Sequence, residues 1–150
     1  MIKAHNTQRK WEEVKDFIID GLGSIHASEK IFNAKFTQQV EEKLKTASGR
    51  KYALTCASGS HAITMSLRAN NINPGDNVII PNYSCPATLS SVMVMGAIPV
   101  FCEIDEHGMM SMEHLPNCMN DKVKAVLATG LYGDVHDHQT TKDFCSRNNL

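Results

Sequence analysis

The sequence predicts an α/β fold with three layers, in which helices cover both faces of a mostly parallel sheet. From residue 51 onward, short apolar runs alternate with helical segments in the order βαβαβαβα. Such alternation builds parallel strands joined by right-handed crossovers. The continuous apolar run from Val78 to Ile80 is also typical of a strand buried on both faces.

The first 50 residues predict a separate helical segment. One helix is expected over 7–20, and a second over 28–46, where large apolar residues recur mostly every four positions. Ser28 is a suitable N-cap for the second helix. The sequence therefore predicts two regions: an N-terminal helical segment (1–50) and the first part of an α/β domain (51–150).

The elements of the α/β region are delimited by turn residues. Strands are predicted at 51–56, 78–80, 98–104 and 123–129, and helices at 60–70, 86–95, 111–119 and 137–148. Asn73-Pro74-Gly75 marks a turn, Pro86 suits the first turn of a helix, and Gly96 suits its end. After the last helix a further buried strand is expected, so we interpret the domain as truncated at its C-terminus.

Composition excludes several classes of protein. The net charge of −1 gives no basic excess for nucleic acid or an anionic membrane. No apolar run approaches the roughly 18–20 residues of a membrane span. The five cysteines are odd in number and include no CxxC, which argues against a disulfide framework or a zinc site and fits the cytoplasm. His136 and His138 form an HxH pair that we interpret as surface histidines, so no metal is expected.

Four loops follow the predicted strands, at 56–60, 81–85, 103–108 and 130–134. Ligands of open α/β sheets bind beyond the carboxyl ends of the strands. We therefore expect these loops to lie along one rim of the sheet and to carry any binding site.

The first loop, CASGSHA, has the features of an anion site. A helix N-terminus has free N–H groups and a partial positive charge, which attract phosphate. Gly59 allows close approach of the backbone, and Ser58 and Ser60 offer hydroxyl donors. The plainer interpretation is that one of these serines only caps the helix. The spacing matches neither a P-loop nor GxGxxG.

Together these segments resemble the N-terminal part of the DegT/StrS-type sugar aminotransferases, which are pyridoxal-phosphate enzymes of fold type I. The resemblance covers roughly residues 28–150. It runs through KYALTCASGSHAITMSLRA, NINPGDNVIIPNYSCPATLSSVMVMGAIPVFCEID and VKAVLATGLYGD. The most specific part is the ordered series of PGD, a strand ending in Pro, an aromatic residue, an AT-containing helix and GA-P-V-F.

The resemblance implies the site residues and the cofactor. Gly59, Ser60 and the N–H of His61 would hold the phosphate of pyridoxal phosphate. Cys85 stands where the family commonly has a flat aromatic or apolar side chain that stacks on the pyridine ring. Tyr83 is a second candidate for that contact, although a loop tyrosine at this position also has a purely structural interpretation.

The resemblance also implies the reaction. An amino group would pass from an amino acid, with glutamate the expected donor, to a keto-sugar linked to a nucleotide, in amino-sugar or surface-polysaccharide biosynthesis by a cytoplasmic homodimer. The family's Schiff-base lysine and the acid beside the pyridine nitrogen are expected beyond Leu150, so no catalytic residue is assigned and this chain alone is expected to be inactive. The alternatives are a sugar dehydratase of the same family and a non-catalytic α/β binding domain.

Overall fold

The computed structural model describes residues 7–28 and 35–150. The chain divides into two units, Met1–Thr55 and Cys56–Leu150. The first unit contains two helices, α1 (Thr7–Ser28) and α2 (Lys35–Ser48).

Helix α1 is longer than predicted, since it continues through two glycines to Ser28. A Cβ atom added to Gly21 would lie 3.5 Å from Cζ of Phe36, and the rings of Phe17 and Phe36 meet edge to face, 6.4 Å apart. This packing offsets the low helix propensity of glycine. Ser28 ends α1, so its predicted role as the N-cap of the second helix is wrong, and residues 29–34 of that predicted helix lie outside the described residues.

The strand predicted at 51–56 is not formed. Tyr52 and Leu54 are 74% and 87% exposed, and the backbone N–H and hydroxyl of Thr55 donate to Glu41 Oε1 at 2.9 and 3.0 Å. These two bonds lower the pKa of Glu41. The physical reason for the error is that a strand depends on backbone bonds to a neighbour, and no strand in the described residues pairs with this segment.

The second unit is an α/β unit with a parallel sheet, as predicted. Its elements are α3 (Gly59–Ala69), β1 (Asn77–Pro81), α4 (Pro86–Val94), β2 (Ile98–Cys102), a 3₁₀ helix (Leu115–Cys118), β3 (Val123–Val126) and α5 (His138–Asn148). The three strands are parallel in the order β2-β1-β3. Three of the four predicted strands are therefore confirmed, whereas the helix predicted at 111–119 is only the short 3₁₀ turn.

The central strand β1 has a hydrophobic core on each face. Val78 and Ile80 point to one face, and Ile79 points to the other, as alternation along a strand requires. The first core cluster consists of Leu67, Ile72, Val78, Ile80, Val92, Met95 and Ala97. The second consists of Ile79, Cys102, Met110, Leu115, Cys118, Val123 and Phe144. Helices α3 and α4 thus cover one face and α5 the other, which confirms the three-layer arrangement.

The direction in which strands are added to the sheet changes at β1, because β2 lies on one side of it and β3 on the other. The connection from β1 to β2 runs through α4 on the first face, and the connection from β2 to β3 runs over the second face and passes β1. Both connections have the same hand, because the face and the direction change together, as the right-handed rule requires. The carboxyl ends of β1 and β3 therefore flank a topological switch point, where ligands bind in open α/β sheets.

Candidate functional site

Side-chain hydrogen bonds join the loops at the carboxyl edge of the sheet. Asn82 Nδ2, after β1, donates to Glu103 Oε2, after β2, at 2.7 Å. The hydroxyl of Tyr83 shares a hydrogen bond of 2.5 Å with the hydroxyl of Tyr132, after β3. The prediction of a single rim is thus confirmed for the loops that follow β1, β2 and β3.

The first turn of α3 combines a cap with unused donors. Ser58 is the N-cap: its Oγ accepts from the N–H of His61 at 3.2 Å, and its carbonyl accepts from Ala62 at 2.9 Å. The capping interpretation is therefore confirmed for Ser58. The N–H groups of Gly59 and Ser60 belong to the first turn, where no helical carbonyl is available to them. These two groups, rather than the N–H of His61, are the donors that this conformation leaves for an anion.

The space beside this turn is open. A Cβ atom added to Gly59 would meet no atom within 4 Å. Within the described parts of the chain, no hydrogen bond involves the Ser60 hydroxyl, while the Ser60 carbonyl accepts from the buried Ser91 hydroxyl of α4 at 3.1 Å. This bond holds the first turn of α3 against α4. Free N–H groups, a free hydroxyl and open space at a helix N-terminus fit a bound phosphate.

Cys85 lies at the start of the neighbouring helix. It is the N-cap residue of α4 but makes no side-chain cap bond, and its thiol is exposed. Its carbonyl accepts from the N–H of Thr88 at 2.9 Å, and the hydroxyls of Thr88 and Ser84 are 2.6 Å apart. The polar contacts of this turn thus come from its neighbours, and the Cys85 thiol remains available to pack against a ligand.

The loop after β3 presents Tyr132 at the switch point. A Cβ atom added to Gly130 would lie 2.9 Å from the Asp134 carbonyl oxygen, so the loop closes tightly on itself. Tyr132 adopts the left-handed region at φ 56° and is 84% exposed. Its hydrogen bond to Tyr83 raises the pKa of Tyr132. The sequence indicated this loop but not Tyr132, because the glycines signal a turn and nothing nearby signals a partner 49 positions away.

The predicted site residues fall into two groups. Gly59, Ser60 and His61 form the first turn of α3, and Tyr83 and Cys85 lie in the loop that leads into α4. Helix α4 packs against α3, and the polar contact between them joins Ser91, inside α4, to Ser60 at the start of α3. No hydrogen bond between the two groups is present in the described part of the chain. Ser91, which sequence reasoning did not single out, connects the two helices.

The HxH pair is not a pair of surface histidines. His136 is only 3% exposed, precedes α5, and its Nε2 is hydrogen-bonded to the hydroxyl of Thr141. Burial, with a smaller effect from the charge of His138, lowers the pKa of His136. Asp137 between them is the N-cap of α5 and accepts from the N–H of Thr140 at 3.0 Å. The prediction failed because His136 lies before α5, where no helical spacing of apolar residues indicates which side chains are buried.

In residues 7–28 and 35–150, no three His, Cys, Asp or Glu side chains are grouped so that they could hold a metal ion. Over the same residues, no helix has the length and apolar character needed to cross a membrane.

The sequence matches the model of the DegT/DnrJ/EryC1/StrS aminotransferase family over residues 12–150. The chain belongs to this family. The GDP-perosamine synthase of Vibrio cholerae is 33% identical to it over 117 residues, which are 77% of this chain and 31% of that protein. A UDP-N-acetyl-3-dehydro-alpha-D-glucosamine 3-aminotransferase of Acidithiobacillus ferrooxidans is 31% identical over 121 residues, 80% of this chain and 33% of that one.

Solved structures of aminotransferases share the fold of this family member. The structure of NtdA from Bacillus subtilis with the cofactor PMP bound matches at a TM-score of 0.88 and 28% identity, and covers 93% of this chain and 32% of that one. This chain spans between 31% and 41% of the length of the first three curated relatives.

Proposed function

We propose that this chain is the N-terminal part of a pyridoxal-phosphate-dependent aminotransferase that passes an amino group from an amino acid, glutamate, to a keto-sugar linked to a nucleotide. The family assignment and the sugar substrates in the names of its relatives support this proposal. The observation that carries it is the first turn of α3, where the N–H groups of Gly59 and Ser60 lie beside open space.

The first turn of α3 would hold the cofactor's phosphate. The N–H groups of Gly59 and Ser60 and the Ser60 hydroxyl would donate to its oxygens, and the partial positive charge of the helix end would add to the attraction. The N–H of His61 would take part only if it exchanged its bond to the Ser58 hydroxyl for one to the phosphate.

Residues at the start of α4 would orient the flat part of the cofactor. The exposed Cys85 thiol would pack against the ring of the cofactor. Tyr83, held by its hydrogen bond to Tyr132, would limit the position of that ring from the other side of the loop. Pyridoxal phosphate, when bound, supplies the electron sink that amino transfer requires. We assign no catalytic group to residues 1–150, so proton and amino transfer would need residues from elsewhere in the protein.

The wider context belongs to the same proposal. The chain would comprise a helical segment at 1–50 and, at 51–150, the first part of a cofactor-binding domain. The remainder of the protein would complete that domain. The complete enzyme would be a cytoplasmic homodimer that acts in amino-sugar or surface-polysaccharide biosynthesis.

Equilibrium dialysis of the 150-residue chain against pyridoxamine phosphate and against pyridoxamine tests the phosphate site. Charge-assisted hydrogen bonds are worth about 1.5–3 kcal/mol each, so we expect the phosphorylated compound to bind at least roughly tenfold more tightly. Ser60→Ala removes one of the three proposed donors and should weaken the binding of pyridoxamine phosphate roughly tenfold, with the binding of pyridoxamine unchanged. Ser66→Ala, an exposed serine of the same helix, should leave both affinities unchanged. Equal binding of the two compounds would contradict the proposal.

A further inference from the structure

Ser91 places a buried hydroxyl group where α4 packs against α3. Its side chain is 2% exposed, and the next residue, Val92, belongs to the first core cluster. A hydroxyl that leaves water without gaining a hydrogen bond destabilises the folded protein. The Ser91 hydroxyl donates to the Ser60 carbonyl at 3.1 Å, and in the part of the chain that the structure describes it makes no other hydrogen bond. The burial of Ser91 therefore depends on the first turn of α3.

Two hydroxyl groups hold the Ser60 carbonyl. The hydroxyl of Thr64, one turn further along α3, donates to the same oxygen at 3.0 Å. Thr64 belongs to α3 and moves with it, whereas Ser91 belongs to α4 and is 31 positions away in the sequence. Of the two bonds, the one from Ser91 therefore fixes the first turn of α3 relative to another helix.

The Ser60 carbonyl shares a peptide group with the N–H of His61. Because that group is planar, a bond that fixes the carbonyl also fixes the direction of the N–H. Hydrogen bonds accepted by the carbonyl also polarise the group and make its N–H a stronger donor. The single hydrogen of the Ser91 hydroxyl is already used by Ser60. Ser91 can thus act on the phosphate turn (residues 59–61) without donating to a phosphate itself.

The same bond sets where the phosphate turn lies along α4. Ser91 is six residues after Cys85, so at 1.5 Å per residue it lies about 9 Å further along the helix axis. A cofactor whose ring and phosphate are covalently joined can contact the Cys85 thiol and the phosphate turn together only while their separation is kept. A contact that keeps this separation before binding lowers the cost of ordering the site.

We propose that Ser91 is a positioning residue for the phosphate of the cofactor. Through the Ser60 carbonyl it holds the phosphate turn in place along α4 and directs the N–H of His61. This inference rests on the proposed function, because a phosphate has to bind at residues 59–61 in order to be positioned there. Ser91 and Ser60 both belong to the second unit, Cys56–Leu150, so the contact is complete within this chain.

Equilibrium dialysis of the 150-residue chain against pyridoxamine phosphate and against pyridoxamine tests the role of Ser91. Ser91→Ala should weaken the binding of pyridoxamine phosphate roughly fivefold, as expected when one hydrogen bond is lost, and leave the binding of pyridoxamine unchanged. The matched control is Ser90→Ala. The exposed hydroxyl of Ser90 donates to the Ala87 carbonyl of its own helix at 3.3 Å, so this variant should keep both affinities.

Two further variants separate positioning from packing. Val92→Ala removes buried methyl groups from the next position of α4 and should lower stability while the ratio of the two affinities stays as in the parent chain. Ser91→Cys replaces the hydroxyl with a thiol, which is a weaker donor, and should give an affinity for pyridoxamine phosphate between those of Ser91→Ala and the parent. Circular dichroism establishes a temperature at which the variants are folded. If Ser91→Ala does not fold, the comparison of Ser91→Cys with the parent decides.

Three results would overturn the inference. If the parent chain prefers pyridoxamine phosphate and Ser91→Ala keeps the full preference, Ser91 only packs α4 against α3, and the proposed phosphate site stands. The same loss of preference in Val92→Ala would assign the effect to stability rather than to the contact with Ser60. A parent chain that binds the two compounds equally has no phosphate site at residues 59–61, and the proposed function and the inference then fail together.

Discussion

The hydroxyl groups of Tyr83 and Tyr132 share a hydrogen bond across the crevice between the carboxyl ends of β1 and β3. The bond joins the loop that carries Cys85 to the tight loop that closes between Gly130 and Asp134. It therefore limits the movement of two loops at the point where the strand order reverses. Its strength can be measured through the titration of the phenols.

Tyr83→Phe should lower the pKa of Tyr132 towards the ordinary tyrosine value of about 10, because the hydrogen bond shared with Tyr83 is the main cause of its raised pKa. The ultraviolet absorbance of phenolate, followed against pH, measures the change. Tyr52→Phe removes the hydroxyl of an exposed tyrosine in the other unit and should leave the pKa of Tyr132 raised. A pKa of Tyr132 that stays raised in Tyr83→Phe would show that the two hydroxyls do not interact in solution.

Ser58→Ala should lower the free energy of unfolding by about 1 kcal/mol, because the first turn of α3 loses its N-cap hydrogen bond. Urea unfolding monitored by circular dichroism measures this. The matched control is Ser60→Ala, whose hydroxyl caps nothing and whose effect should stay within about 0.5 kcal/mol. Equal losses in the two variants would mean that Ser60 shares the capping role.

Val92→Ala and Val94→Ala compare the same substitution at two positions of α4. Val92 is 0% exposed within the first core cluster, and Val94 is 76% exposed. We expect the free energy of unfolding to fall by about 2 kcal/mol or more in Val92→Ala, which removes two buried methyl groups and leaves a cavity. The fall in Val94→Ala should be less than about 0.5 kcal/mol. Urea unfolding tests both, and comparable losses would contradict the packing of α4 on the sheet.

His136 should make stability depend on pH. Its pKa is lowered in the folded state, mainly by burial and then by His138, although Asp137 and Asp105 act in the opposite direction. The unfolded chain therefore binds a proton at higher pH, near 6.5, than the folded chain does. The contribution of His136 is complete above about pH 6.5 and is lost as the pH falls towards the lowered folded pKa.

The measurement is urea unfolding at a series of pH values below neutrality. His136→Phe should flatten the fall in stability below about pH 6.5, even if its stability at neutral pH differs from that of the parent chain. His107→Gln, which alters a histidine with a mostly exposed side chain, should keep the slope. A slope that is identical in His136→Phe would assign the pH dependence to other groups.

Much of the fold could be predicted because its signals are local. Three signals depend only on residues close in sequence: the apolar run of β1, the proline at the start of α4 and the left-handed Gly96 after that helix. The failed strand at 51–56 shows the limit of this reasoning. Its composition suits a strand, but whether a strand forms depends on a partner that composition does not supply.

The candidate site could be located but not completed from the sequence. The carboxyl-edge rule indicated the loops, and capping preferences indicated Ser58, since both depend on residues a few positions apart. The contacts of Tyr132 with Tyr83 and of Ser91 with Ser60 join distant parts of the chain. The burial of His136 likewise depends on packing in three dimensions, which no spacing in the sequence reports.

Pro99 has a consequence for self-assembly. Open sheets can grow into filaments when each molecule offers a receptive edge on both sides, because every added copy then exposes a new one. The N–H of Ile98 in β2 donates to the Asp76 carbonyl beside β1, so the next residue, Pro99, faces the free edge and has no N–H to offer it. β2 is therefore a poor starting point for such growth, which leaves β3 as the receptive side. Two copies joined through β3 would have no comparable edge left, so association of this kind would stop at a closed pair even at high protein concentration.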